Sequence, residues 1–190
     1  MLPYMNSILH GLRAALRESG HRLKVFVDLT DPAKRSAEDI REVLEILREM
    51  QDCADMILGL NENESVQIAD VLMGRQISDL TTRAGEIREQ LGLTMVIIHP
   101  VSSAAAADAS GEYFLEGPYC SKPKLTTGAG DNFNAGFCVG LLAGLGPQAS
   151  LATGVCSSGY YVRHMASATR DELLNFMRDW CGAGCPAVYE

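Results

Sequence analysis

The chain has 190 residues, 47% hydrophobic and 21% charged, with a net charge of −8. That length suffices for one compact domain with a real core, and the acidity argues against nucleic-acid backbones or anionic membranes as partners. The longest apolar run, 135–145, falls well short of the ~20 residues that span a bilayer; the start Met1-Leu2-Pro3-Tyr4-Met5-Asn6 lacks a signal-peptide pattern, so a cytoplasmic location is expected.

Apolar residues at Met5, Ile8, Leu9, Leu12, Ala15 and Leu16 fit a helical face that Gly20 stops. Leu23 to Leu29 is a short β-branched strand, ended by Thr30-Asp31-Pro32. A second helical stripe runs through Ile40, Val43, Leu44, Leu47 and Met50, and Ser36 with Asp39 resembles a capping box at its start. Met56 to Leu60 is the next strand, followed by Asn61-Glu62-Asn63-Glu64 and a helix through Val66, Ile68, Ala69 and Leu72. Residues 81–92 read as helix, and Met95 to Ile98 as a buried strand closed by His99-Pro100.

From Val101 to Lys124 the pattern is of paired extended segments around the turn Asp108-Ala109-Ser110-Gly111, although Ala104 to Ala107 could instead begin a helix. Three helices are expected at the end: about Asn132 to Leu145, Gln148 to His164 and Arg170 to Cys181. The six cysteines are scattered, and Cys181 and Cys185 lack the spacing of a redox or zinc pair, so reduced structural cysteines are expected.

Short, continuously apolar strands alternating with helices argue for an α/β fold, a mostly parallel sheet covered on both faces in three α-β-α layers. No second-domain boundary shows, so residues 1–190 read as a single domain. Ligands of such sheets collect beyond the C-terminal strand ends, where Asp28, Asn61 and His99 stand.

The most informative stretch is Thr126-Thr127-Gly128-Ala129-Gly130-Asp131-Asn132-Phe133-Asn134-Ala135-Gly136. Its glycines precede an aspartate that opens an apolar helix, and amides at a helix N-terminus hold anions without basic side chains. The run lacks the third glycine of a dinucleotide fingerprint and the Gly-Lys-Ser/Thr of a P-loop. Read as a bare helix start, Asp131 would merely favour the dipole.

In its context the run resembles the C-terminal motif of the ribokinase/PfkB family of carbohydrate and nucleoside kinases, Asp-Thr-Thr-Gly-Ala-Gly-Asp-x-Phe-x-Ala-Gly; Leu125 replaces only the first aspartate. The resemblance implies a ribokinase-like fold in which the amides of Gly128, Ala129 and Gly130 form an anion hole for the transferred phosphoryl group. Thr127 would stand beside the nucleotide, and Asp131 would accept the proton of the attacking hydroxyl. It also implies ATP and Mg²⁺ as cofactors, leaves a monovalent cation open, and makes a sugar or nucleoside the substrate.

The family's Asn-x-x-Glu motif fits Asn61 and Glu64. The resemblance places Asn61 near the nucleotide phosphates and Glu64 on waters around Mg²⁺; the bland reading of the pair is a helix cap. Asp28 and Arg35 stand where relatives approach the substrate, with a turn and cap as the plain alternative. His99 replaces a threonine of the nucleotide wall, and a lone histidine there is more often structural. The small residues of 151–164 suit close packing.

The match covers only the C-terminal part of the family fold, so the N-terminal strands, the lid and most sugar-holding residues are expected to be missing. One reading makes the chain the catalytic half-site of a kinase. The other makes it a non-catalytic fragment that binds nucleotide or pairs with another chain, an unpaired sheet edge or apolar face inviting a homodimer.

Overall fold

The computed structural model describes residues 11–18, 22–29 and 34–182. In chain order these form α1 (11–18), β1 (Leu23–Asp28), α2 (Ala37–Met50), β2 (Ala54–Leu60), α3 (Glu62–Met73) and α4 (Leu80–Leu91). Then come β3 (Met95–Ile98), β4 (Ser103–Ala107), β5 (Glu112–Glu116), α5 (Ala129–Leu142), α6 (Pro147–His164) and α7 (Arg170–Gly182). The strand order is β1-β2-β3-β4-β5. Residues group into two compact units: Met1–Ile98 with Ala107–Glu112, and His99–Ala106 with Tyr113–Glu190.

In the first unit β1, β2 and β3 pair in parallel, with Leu23 opposite Ala54 and Ile57 opposite Met95. Alternate residues of β2 (Ala54, Met56, Leu58, Leu60) join Val96 and Ile98 of β3 in one core with Leu44 and Leu47 of α2, Ile68 of α3 and Ile87 of α4. Ile57, Met95 and Ile97 fall on the opposite face and are buried as well. Burial on both faces is why these strands read as unbroken apolar runs and not as alternating ones. Each such side chain contributes about 1.5–3 kcal/mol on leaving water.

The caps behave as their residue types dictate. Ser36 caps α2 in a full capping box with Asp39, and Gly74 and Gly92 end α3 and α4 in the left-handed conformation. Buried Arg83 has no counterpart in the sequence reading. Its guanidinium donates to Ile77 O at 2.7 Å, Ser65 Oγ at 2.9 Å and Ser78 O at 3.3 Å, fastening the loop before α4 to α3.

The turn expected at Asp108-Gly111 is present: Asp108 N donates to Gly111 O at 3.0 Å, and Asp108 Oδ1 accepts from Ser110 N and Gly111 N. The run from Ala104 is therefore strand, not helix. A connection this short cannot join parallel strands, so the sheet is mixed, parallel through β1–β3 with a hairpin following.

The second unit is dominated by α5 packed on α6. A Cβ on Gly136 would lie 2.6 Å from Thr153 O, one on Gly140 2.8 Å from Ser150 Cα, and one on Gly154 2.9 Å from the Phe133 ring. The small residues are thus a packing device, as read from sequence. Helix α5 runs from Ala129 to Leu142, three residues earlier at each end than expected. Gly128 supplies the start, and Leu145 N to Gly140 O with Gly144 N to Leu141 O closes a Schellman turn at the end. Cys53, Cys120, Cys138, Cys156 and Cys181 are free thiols. Among the described residues no helix is long and apolar enough to cross a membrane.

Candidate functional site

The turn leading into α5 has a defined geometry. Gly128 is its N-cap, with φ +89° and ψ 1°, and no side chain caps the helix. Three successive carbonyls of the turn are engaged within the protein. Thr126 O accepts from Ala129 N at 3.1 Å, Thr127 O from Tyr161 Oη at 2.8 Å, and Gly128 O from both Asn132 N at 3.0 Å and Asn132 Nδ2 at 2.9 Å.

This changes the expected donor set. Ala129 N–H, counted in the anion hole from sequence, already serves Thr126 O. The next two amides, of Gly130 and Asp131, occupy first-turn positions where helix geometry provides no acceptor. Asp131, the third residue of α5, is exposed, at the helix end where negative charge is favoured. Thr127 is exposed at the same turn.

His99 lies under this turn. A Cβ on Gly130 would come within 3.4 Å of His99 Cε1, and the imidazole stacks on Phe133 with centroids 4.6 Å apart. Nε2 is buried and without a hydrogen-bond partner. Desolvation lowers the pKa from 6.5 to about 4, so the ring is neutral at physiological pH. The ring supports the floor of the turn.

Asn61 and Glu64 belong to the first unit. Asn61 caps α3 at the C-terminal end of β2: its Oδ1 accepts from Glu64 N at 2.9 Å, and Glu64 Oε2 accepts from Asn61 N at 2.8 Å. The helix-cap reading of this pair is therefore realised. Glu64 is 7% exposed. Asp28 ends β1 and Arg35 is half-buried, but the intervening residues 30–33 lie outside the described residues, as does Gly20.

Sequence reasoning missed Tyr161 and Asn132. Asn132 was within reach, since a side chain four residues after Gly128 can return to its carbonyl. Tyr161 left no signal, because its contact joins residues 34 positions apart.

Comparisons with known proteins agree with this architecture. The chain is 27% identical over 177 residues to a ketohexokinase from Haloferax volcanii, covering 92% of this chain and 47% of that protein. The ribokinase structure from Thermotoga maritima superposes with a TM-score of 0.63 at 20% identity, covering 87% of this chain and 59% of that one. A ribokinase II candidate from Escherichia coli, solved with ATP and Mg²⁺, gives 0.61 at 18% identity over 88% of this chain and 52% of its own. The fold is thus the three-layer ribokinase-like one, and the chain spans about half the length of the relatives it matches. The family model of prokaryotic ketohexokinases matches residues 1–180, and the chain belongs to that family.

Proposed function

We propose that this chain carries the phosphate-holding and proton-accepting part of an ATP-dependent sugar kinase, with a ketohexose hydroxyl as acceptor. One observation carries the reading. The turn 126–131 commits its carbonyls to the protein and opens an apolar helix without a side-chain cap, which leaves backbone N–H groups for an anion. The donors are the amides of Gly128, Gly130 and Asp131, and each such donor contributes roughly 10²–10³ in rate where charge develops. Asp131 accepts the proton of the attacking hydroxyl, a role worth about 10²–10⁴.

Phosphoryl transfer of this kind rests on positioning and electrostatics more than on strong deprotonation, which suits an exposed carboxylate. When bound, ATP supplies the phosphoryl group and Mg²⁺ offsets its charge. Glu64 fits the magnesium role through water, since a largely hydrated ion needs few carboxylates. Asn61, which fixes that carboxylate, takes the nucleotide-phosphate role that the family's Asn-x-x-Glu motif implies.

A second reading has the chain bind nucleotide without turnover, or pair with another chain. It is favoured by β1, an edge strand, and by Val139 and Leu142 of α5, the latter 86% exposed. Calorimetry with MgATP, followed by assay against a panel of ketohexoses, separates the two. Wild type and Asp131→Asn are both expected to bind MgATP, with transfer lowered about 10²–10⁴-fold in the variant. Full turnover by Asp131→Asn removes the base role. A chain that binds no MgATP and sediments as a dimer establishes the pairing reading.

A further inference from the structure

We propose that Tyr161 is a positioning residue of the anion site, holding the Thr127–Gly128 peptide plane so that the Gly128 N–H faces the phosphoryl group. The inference rests on the reading of this turn as an anion hole and adds a residue outside the motif to it.

The argument is geometric. The peptide between Thr127 and Gly128 is trans, so its C=O and N–H point in opposite directions. Tyr161 Oη donates to Thr127 O at 2.8 Å. Whatever fixes that carbonyl on one side of the plane fixes the Gly128 N–H on the other. The preceding plane is held by Ala129 N on Thr126 O, and the following one by Asn132 on Gly128 O, both local bonds of the helix start. Only the middle plane depends on a residue far along the chain.

That plane also needs a hold most. Rotating it chiefly changes ψ of Thr127 and φ of Gly128, and glycine adopts φ of either sign with little steric resistance. Gly128 sits at φ +89°, and the hydrogen bond biases the choice. A net bond of this kind shifts a two-way equilibrium by roughly 2- to 10-fold. The anchor is firm because α6 is packed along α5 by glycines that admit no side chain. The fit is close as well: a Cβ on Gly128 would lie 2.9 Å from Tyr161 Oη, so the glycine allows the hydroxyl to approach.

The test uses the ¹⁵N-labelled full chain, inorganic phosphate as the probe, and Tyr161→Phe, which keeps the ring and removes the hydroxyl. In wild type the amides of Gly128, Gly130 and Asp131 should shift on titration. In Tyr161→Phe the Gly128 response should be lost or cut by roughly 2- to 10-fold while Gly130 and Asp131 still respond, a residue-specific split that general loosening would not produce. An equal Gly128 response in both proteins overturns the proposal, as does a wild type in which Gly130 and Asp131 respond and Gly128 does not. If none of the three responds in wild type, the anion reading itself fails and takes this proposal with it. Should the variant not fold, Tyr161→Leu at this half-buried position likewise removes the donor proton. The Gly128 response should fall with it, and an unchanged response overturns the proposal.

Discussion

His99 stacks on Phe133 with ring centroids 4.6 Å apart, joining the residue that follows β3 to the second turn of α5. The stack leaves His99 Nε2 buried and unpartnered, and desolvation holds its pKa near 4 in place of 6.5. Between those values the unfolded chain binds a proton that the folded protein does not. Stability is therefore complete above pH 6.5 and is lost as pH falls toward 4, by about 3 kcal/mol in all. Urea unfolding should show about 2 kcal/mol lost between pH 7 and pH 5. In His99→Phe, which keeps a stacked ring, that part of the slope should vanish; parallel pH profiles for the two proteins would count against neutral burial.

Gly136 and Gly140 set the approach of α5 to α6. Alanine would gain about 0.5–1 kcal/mol of helix preference at either position. Against this, its Cβ would press on backbone: Thr153 O at 2.6 Å from Gly136, or Ser150 Cα at 2.8 Å from Gly140. Overpacking of this kind costs about 1–3 kcal/mol, so the clash wins. Each substitution should lower the thermal midpoint, and a raised midpoint would mean that the helices can separate freely.

Gly128 and Gly144 form a matched pair, with φ +89° and φ +79°. Alanine at either place takes on about 1–2 kcal/mol of left-handed strain. At Gly144 nothing lies within 4 Å of the added Cβ, whereas at Gly128 it meets Tyr161 Oη. Both variants should lose stability in denaturant titrations, Gly128→Ala the more, but only Gly128→Ala should also lose phosphate binding. Equal phosphate affinity in the two would detach the turn from anion binding.

Asn61→Ala removes the cap of α3 and should destabilise by about 0.5–2 kcal/mol. Glu64→Gln retains an acceptor oxygen for Asn61 N, so the cap should survive while the negative charge goes. Its melting temperature should stay close to wild type and its affinity for MgATP should fall. Unchanged MgATP affinity would confine Glu64 to the cap.

Much of this protein was legible in its order of residues. The capping box at Ser36 and Asp39, the turn at Asp108 to Gly111 and the Met95 to Ile98 strand follow from interactions spanning a few residues, which a sequence displays directly. The glycine-rich turn ahead of an apolar helix was legible for the same reason, its residues being consecutive, although the left-handed conformation of Gly128 was not read. What the sequence could not determine were effects that act across the fold. One local bond escaped the sequence reading too: Ala129 reads as an anion donor, but its N–H serves Thr126 O three residues back. His99 reads as a bare histidine until Phe133 and Gly130 enclose it. Tyr161 reads as one tyrosine of a helix until tertiary packing sets its hydroxyl on the carbonyl behind the Gly128 amide. Local chemistry and local bonds decide which amides stand open at the turn, but what holds and buries its residues depends on contacts that exist only once distant segments have packed.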